Sequence, residues 1–470
     1  MLNYSIRGMA QAAGLPLEES ARLTELIKVW EYHLQKNRKK DRYYDGHIYL
    51  SEVNLGIALP RSFRSLQIGC EWGAKCVDVL ASRSMFDGFV GINGEDLNVV
   101  DGIVENNNLI SEYKKACRDE LKYGSTFATL SKNGNSCNIR FHTPQTAAAL
   151  WNGIEGRIDC GFAIIDTAPD ESKDPYTPSI VNYYTDEGIW VLTRPEKKNE
   201  WVAEFHAHKM GRPLMEPLSW NATSTKPFGR SRLKEPIRRL IEGYVRTIAN
   251  ATIGLEFSTT PQKYILGVTD DQYDAIISDK FKQYVGSFIA STVNPETGEK
   301  PSIGQFQQGT ITPHIEMMRL LATQFSAATG LSVTDTGVVN DANPTSSDAI
   351  LAQSQTLVAM AEQLNAENGN ALKTIMLMAQ AIARDVSLDE LEDSETNIIA
   401  HFKNPSMPSL AVTADAAIKI ASARQGFAET DTFLEMIGFD QADVRRIRSQ
   451  ESRARGTAIL MEEFGDGDTA

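Results

Sequence analysis

Residues 346–384 carry one unbroken helical pattern, and this pattern constrains the fold more than any other feature of the chain. Apolar residues recur there at intervals of three and four, as at Leu357, Ala361 and Leu364. At about 1.5 Å per residue the predicted helix is about 58 Å long, with a bend expected at Gly369. A rod of this length exposes apolar residues on several sides. The sequence therefore predicts a fold in which other elements cover a long helix.

Two shorter helical patterns bracket a segment that lacks helical order. The first covers residues 231–257, with Pro236 in its first turn, where proline is favoured. The second covers residues 314–331, and Gly330 is suited to its C-cap. Between them, residues 258–313 contain two strand-like pieces and a polar turn. The sequence predicts a small insert between two helices.

The remaining parts of the chain divide into strand-rich and helical regions. Residues 125–210 predict an antiparallel sheet, because apolar and polar residues alternate there and turn sequences separate the strands. Residues 1–36 follow a helical pattern, and a basic run at residues 36–42 then leads to a break. An acidic linker at residues 385–395 precedes three further helical patterns. The fold class predicted from these patterns is α+β.

Composition and charge limit the classes of function. The chain has 47 Lys and Arg against 61 Asp and Glu, a net charge of −14, which argues against tight binding of phosphate but not against a surface past which DNA slides. Its 42% hydrophobic and 23% charged residues are typical of globular proteins. No apolar run reaches the ~18 residues needed to span a bilayer. We expect a soluble intracellular protein without membrane contact.

The five cysteines are odd in number and never spaced as C-x-x-C. This spacing argues against a disulfide framework and against a zinc ribbon. We expect reduced thiols that pack as small buried hydrophobic groups.

Enzymatic motifs are absent from the sequence. There is no P-loop, no H-E-x-x-H and no G-x-S-x-G motif. Glu204, His206 and His208 lie on one predicted strand face, but an ordinary polar face explains them as well as a metal site does. Asp335 and Asp341 could resemble a magnesium cluster, although turn formation and capping also explain them. A metal-dependent hydrolase that uses these residues stays as an alternative, and no cofactor is expected.

Arginines recur every seven residues at the start of the first bracketing helix. These are Arg232, Arg239 and Arg246, with Lys234 and Arg238 nearby. Because seven residues make about two helical turns, the spacing predicts a basic stripe along one side of the helix. The stripe could be a solvated face that forms ion pairs between subunits, or a face that touches a polyanion. The sequence leaves both interpretations open.

Four short motifs are spread along the chain: PFGRSRL at 227–233, TPQKYILG at 260–267, FSAATGL at 325–331 and NPTSSDAI at 343–350. They resemble motifs of one protein family, the portal proteins of tailed bacteriophages of the siphophage type. The resemblance covers most of residues 43–463, and the motifs occur in the family's order. The final helices are also similar to those that close the family's chains.

The resemblance implies a portal fold that forms a ring from identical subunits. That fold has a mixed α/β wing, a helical stem, a small α/β clip, a long wing helix and a helical C-terminal crown. The corresponding residues are 1–230 for the N-terminal region and wing, 231–257 for the first stem helix, 258–313 for the clip, 314–331 for the second stem helix, 332–345 for the tunnel loop, 346–395 for the long wing helix and linker, and 396–470 for the crown.

The function implied by the resemblance is that of a portal without catalytic residues. A homo-dodecamer would occupy a unique capsid vertex and pass double-stranded DNA during packaging and ejection. Its partners would be the terminase large subunit, a head-completion or adaptor protein, and the major capsid and scaffolding proteins. It would be assembled in the host cytoplasm and retained in the virion. Another structural head protein, such as a minor capsid or adaptor component, is the alternative.

Two sets of site residues follow from this correspondence. The tunnel loop would touch DNA through short polar side chains, because residues 334–341 contain no Lys or Arg. The clip would dock the motor or the adaptor through Lys280 and Lys282. The residues predicted to contact DNA are Thr334, Asp335, Thr336, Asn340 and Asp341.

Overall fold

The computed structural model describes most of the chain, and it shows a mixed α+β fold, as predicted. The described residues are 6, 8–49, 67–92, 97–134, 136–168, 177–194, 200–259, 263–267, 293, 298, 300, 302–305, 310–338, 347–406, 410–424 and 426–465. The helices are α1 Leu17–Tyr44, α2 Trp72–Ala81, α3 Asn98–Asn106, α4 Leu109–Tyr123, α5 Glu235–Thr259, α6 Thr312–Thr329, α7 Ser347–Arg384, α8 Asp393–Thr396, α9 Leu410–Ala423, α10 Asp431–Ile437 and α11 Gln441–Gly465.

The strands form small antiparallel sheets rather than one large sheet. A five-stranded sheet has the order β10-β9-β8-β7-β6, and a three-stranded sheet has the order β11-β4-β5. Strand β14 pairs with β3, β1 with β2, and β12 with β13. The strands are β1 Ile48–Tyr49, β2 Gln67–Ile68, β3 Phe86–Gly91, β4 Ser125–Asn133, β5 Ser136–His142, β6 Ala147–Asn152, β7 Arg157–Ala168, β8 Thr177–Tyr184, β9 Gly188–Thr193, β10 Val202–Ala207, β11 Met215–Ser219, β12 Lys263–Leu266, β13 Ser302–Gln305 and β14 Ile398–Phe402.

Helix α7 is the long predicted rod, and elements of the same chain cover it. It packs against β4, β5, β11 and β14, and Leu372, Ile375 and Ala379 are fully buried in the larger hydrophobic core. The helix continues through Gly369 without interruption. A Cβ added at this position would lie 3.5 Å from the Phe402 ring on β14, which is an ordinary van der Waals contact, so the packing here does not require glycine. The second half of α7 is thus a core element.

Helix α1 covers the five-stranded sheet; it begins at Leu17, later than the predicted start, and extends beyond residue 36. It includes the whole basic run and ends only at Tyr44, before Gly46 with a φ of 70°. The reason is that Leu34, Asn37 and Tyr43 continue the buried face, while Lys36 and Lys39 between them are exposed. Lysine and arginine also favour helical structure. The helix therefore includes the basic run and ends at the break that the sequence indicates after it.

The two bracketing helices, α5 and α6, pack against each other. Helix α5 begins at Glu235, later than predicted, and Pro236 lies in its first turn as expected. It begins late because Ser231 is in a buried turn, where its hydroxyl donates to the Lys122 carbonyl over 2.5 Å and accepts from the Leu233 amide over 3.0 Å. Helix α6 ends at Thr329, and Gly330 caps it with a φ of 74°.

Within the insert, the structure describes one strand pair. Strand β12 matches the first strand-like piece of the sequence, whereas its partner β13 was not predicted. The second predicted piece, at residues 284–290, lies outside the described residues. Among the helices that the structure does describe, none has the combination of length and apolar character required to cross a membrane.

Candidate functional site

An aromatic cluster joins α2, α5 and α6 at the point where the predicted DNA-contacting loop begins. The Trp72 ring stacks on Tyr244, with centroids 4.1 Å apart, and lies 4.7 Å from the Phe325 ring. The indole Nε1 of Trp72 donates a buried hydrogen bond of 3.0 Å to the carbonyl oxygen of Thr336. The cluster therefore anchors the first turn of the loop to both bracketing helices. Trp72 was not predicted as a functional residue, because the sequence around it follows neither a clear helical nor a clear strand pattern.

The described part of the loop is a short 3₁₀ turn, Val333–Thr336, with a complete capping box. The Ser332 hydroxyl accepts from the Asp335 amide over 3.3 Å, and the Asp335 carboxylate accepts from the Ser332 amide over 3.0 Å. Asp335 therefore has the capping role that its sequence position allowed.

The predicted loop residues differ in their access to solvent. Thr336 is buried, and its hydroxyl donates to the Val333 carbonyl over 2.6 Å, so its side chain is not available for the DNA contact that we predicted. Thr334 is exposed. The DNA contacts of Thr334 and Asp335 stay predictions, and Asn340 and Asp341 lie outside the described residues, as do Lys280 and Lys282 of the predicted clip.

The predicted basic stripe does not form one exposed row. Arg232 precedes the first residue of α5 and is only 7% exposed. Its guanidinium donates to the carbonyl oxygens of Cys76, over 2.6 Å, and Thr329, over 2.7 Å. Because Thr329 is the last residue of α6, its carbonyl has no partner within that helix, and a cation there also opposes the negative end of the helix dipole.

The other two arginines of the stripe lie on α5 itself. Arg239 is exposed and forms ion pairs of 3.4 Å with Glu235 and 3.0 Å with Glu242, while Arg246 is half-buried. The seven-residue repeat thus combines one structural arginine with two helix-surface arginines. The stripe prediction fails because the turn before α5 directs Arg232 inward.

The residues of the hydrolase alternative that the structure describes are not gathered into a metal site, and Asp341 lies outside the described residues. Glu204 and His206 are exposed on the edge strand β10, 3.6 Å apart, and His208 follows the end of that strand. Asp335 caps its own turn. Over the parts of the chain that the structure describes, no three His, Cys, Asp or Glu side chains are placed to hold a metal ion.

Comparisons with a family model and with individual known proteins point to the same protein family. The model of the family described as phage portal protein, SPP1 Gp6-like, matches residues 23–457. The portal protein of Mycobacterium phage D29 is 23% identical over 454 residues, which cover 93% of this chain and 90% of that protein. The portal protein of Mycobacterium phage L5 is also 23% identical over 454 residues and is covered to 89%.

A solved structure is also similar, although more distantly. It is the neck of a native GTA particle computed with C12 symmetry, with 12% identity and a TM-score of 0.45 over 78% of this chain and 89% of the other. The matched family is neither of the alternatives raised from the sequence, a minor capsid or adaptor protein and a metal-dependent hydrolase. Because the family match extends over residues 23–457, the chain belongs to the SPP1 Gp6-like phage portal proteins, which are structural proteins of the phage particle and not enzymes.

Proposed function

We propose that this chain assembles into a ring of about twelve copies at a unique capsid vertex, as a conduit for double-stranded DNA during packaging and ejection. The observation that carries the proposal is the family match over residues 23–457. In this assignment α5 and α6 are the stem, α7 is the long wing helix, and α9 to α11 form the crown. The ring would be assembled in the host cytoplasm and retained in the virion.

Exposed apolar residues on the two stem helices support assembly. Ile315, Met317 and Leu320 on α6 are 38%, 44% and 51% exposed, and Leu255 on α5 is 48% exposed. Large apolar side chains that remain exposed on paired helices favour burial against another surface. In a ring, that surface would belong to the neighbouring copy.

The acidic charge supports a conduit rather than a DNA-binding protein. A chain with a net charge of −14, repeated around a channel, disfavours tight capture of phosphate, because affinity for DNA rises with each phosphate that a cation neutralises. We expect DNA to move through the channel with little retention.

Oligomeric state tests the ring directly. Purified protein should give end-on annular particles in electron micrographs and a mass of about twelve times the 51.9 kDa chain. Leu320→Glu should reduce the annular fraction, because it places a charge in the proposed apolar contact, whereas Glu316→Gln on the exposed surface of the same helix should not. A chain that stays monomeric at high concentration, with scaffolding and capsid proteins present, would overturn the proposal.

Contact between the tunnel loop and DNA is tested by cross-linking. A photoreactive side chain at Thr334, which is exposed, should cross-link to DNA in filled heads, while the same group at buried Thr336 serves as the control. Equal yields at both positions, or no product at Thr334, would contradict contact through this turn.

The docking role of the clip rests on the family correspondence and on Lys280 and Lys282. Exchanging residues 279–284 for a neutral sequence of equal length should weaken binding of the terminase large subunit or of the adaptor. Unchanged binding of both partners would count against these lysines. The same ring is proposed to contact the major capsid and scaffolding proteins through its outer surface.

A further inference from the structure

A cavity of about 680 Å³ lies between α1, the adjoining sheets and the turn that leads into α5. We call it the basic cavity, because positive side chains line both of its sides. Lys36, Lys39 and Lys40 reach it from α1. From the opposite side it is lined by Lys226, Arg230, Lys234 and Arg238.

Carboxylates do not balance this charge. Glu235 is the single acidic residue among the described residues that line the cavity, and it forms an ion pair with Arg239, which lies outside the lining. Over the described parts of the chain, the side chains of Lys226, Arg230 and Lys234 make no hydrogen bond or ion pair. In a chain with a net charge of −14, such a local excess of cations is unusual.

The α1 side of the cavity is also short of anionic partners. The Lys40 ammonium donates to the Asn37 amide oxygen over 3.1 Å and to the Tyr123 carbonyl over 2.7 Å, and both acceptors are neutral. The nearby Asp41 carboxylate contacts Lys122 over 2.5 Å. Lys36 lies 3.8 Å from the centre of the Tyr32 ring. Among the residues that the structure describes, no carboxylate lies within ion-pair distance of the lysines and arginines that line the cavity.

The floor of the cavity is apolar. Phe127 and Phe228, whose rings are 5.6 Å apart, line it together with the three alanines at the start of β6. Phe228 is only partly buried. A nucleic-acid backbone would use the cations but not this floor, whereas a peptide can place an apolar side chain on the floor and carboxylates at the rim.

We propose that the basic cavity is a docking site for an acidic peptide segment of a partner protein, in which one aromatic or large aliphatic side chain lies between carboxylates. The apolar side chain would rest on Phe127 and Phe228, and the carboxylates would pair with the lysines and arginines on the two sides. The cations of the cavity favour an acidic ligand, and its apolar floor favours a ligand that also carries a large apolar side chain. The site does not depend on the ring or on the channel.

Fluorescence anisotropy with the full-length chain tests the site. The probe is a fluorescein-labelled peptide, Gly-Asp-Glu-Phe-Glu-Asp-Gly, compared with versions that have Ser for Phe, or Asn and Gln for the acidic residues. The parent peptide should bind, the Ser version should bind about tenfold more weakly, and the neutral version should not bind. Equal binding of all three peptides, or of none, would overturn the proposal.

Paired variants locate the binding. The double variant Lys226→Glu with Arg230→Glu should weaken the parent peptide at least about tenfold, because both cations are exposed and the new charges repel carboxylates. The control is the double variant Lys28→Glu with Lys75→Glu, which makes the same change of charge at two exposed positions outside the cavity. An equal loss of peptide affinity in both variants would mean that binding depends on the overall charge of the protein and not on the cavity, which would reject the proposed site. A labelled DNA duplex is tested in the same way. If the duplex bound more tightly than the peptide, and the Lys226→Glu with Arg230→Glu variant lost that binding, the ligand of the cavity would be nucleic acid and not a peptide.

Proton uptake provides an independent readout. Burial lowers the pKa of Lys40 to about 8. The positive charges of Arg238 and Lys36 lower this pKa further, whereas the Asp41 carboxylate raises it. The Tyr123 carbonyl that accepts from the Lys40 ammonium is neutral. A bound carboxylate would favour the charged ammonium, so peptide binding at pH 8 should take up protons. Calorimetry in two buffers of different ionisation enthalpy should then give different heats. Identical heats would contradict a peptide bound beside Lys40.

Discussion

The side-chain amide of Asn368 in α7 donates a hydrogen bond of 2.7 Å to the carboxyl group of Glu120 in α4, and both residues are buried. The same amide lies 3.0 Å from the hydroxyl of Tyr113, which is 2.7 Å from the hydroxyl of Ser84. This polar cluster joins the long helix to the helix beside it in the core. Burial raises the pKa of Glu120 to about 8, although the bond from Asn368 partly opposes the shift.

Glu120→Gln should stabilise the protein at high pH. Between the ordinary pKa of about 4.5 and the folded value of about 8, the folded chain binds more protons at this site than the unfolded chain does. The free energy of unfolding therefore falls as the pH rises through that window, by about 1.4 kcal/mol per pH unit at most. Glutamine removes this slope while it keeps an acceptor for Asn368.

The measurement is denaturant unfolding of Glu120→Gln and of the parent chain at pH 5 and pH 8. The stability gain of the variant should be larger at pH 8, and Glu105→Gln, at an exposed position on α3, should change little at either pH. A variant that is less stable than the parent at pH 8 would show that the carboxylate itself is needed.

Arg232→Met should be strongly destabilising. Methionine keeps much of the side-chain volume but leaves the carbonyls of Cys76 and Thr329 without their donor, at a cost of about 2–5 kcal/mol. Arg239→Met is the matched control, because it removes only exposed ion pairs and should cost less than about 1 kcal/mol. Urea unfolding of the two variants checks the difference, and equal losses would contradict a structural role specific to Arg232.

Trp72→Phe should loosen the start of the tunnel loop. Phenylalanine retains ring packing against Tyr244 but cannot donate to the Thr336 carbonyl, which leaves a buried acceptor unpaired at a cost of about 1–3 kcal/mol. Hydrogen exchange should rise in residues 333–338. The control Trp190→Phe changes a tryptophan of the five-stranded sheet and should leave exchange in that segment unchanged. Unaltered exchange in Trp72→Phe would mean that packing alone anchors the turn.

The cysteines should be inert in the folded chain. All five are buried and unpaired, and burial raises the pKa of the Cys70 and Cys160 thiols to about 11 and that of Cys137 to about 12. Little thiolate is then present at pH 8, so a disulfide reagent such as Ellman's should react with all five only after denaturation. Ser111→Cys, at an exposed position, should add one thiol that reacts promptly. Rapid reaction of the native parent chain would contradict this prediction.

The local sequence pattern was sufficient to predict the bounds of some helices and insufficient for others. The structure of α7, Ser347–Arg384, agrees within one residue with the pattern over residues 346–384, because the buried face repeats at helical intervals from its first half to its end. The end of α6 was predictable because Gly330 permits the left-handed conformation that stops a helix. The break predicted after the basic run likewise matches the end of α1 at Tyr44, whereas the start of α1 at Leu17 was not predicted.

The amino-acid order by itself determined the α+β class, the long helix, the two bracketing helices and the portal motifs, since periodicity, capping and short motifs act over neighbouring residues. Only the tertiary structure decided that Arg232 points inward, that Thr336 is buried beneath Trp72, and that two distant basic segments face each other across one cavity. Contacts of this kind depend on which surfaces meet after the chain has folded, and residues separated by hundreds of positions leave no periodic signal of their meeting.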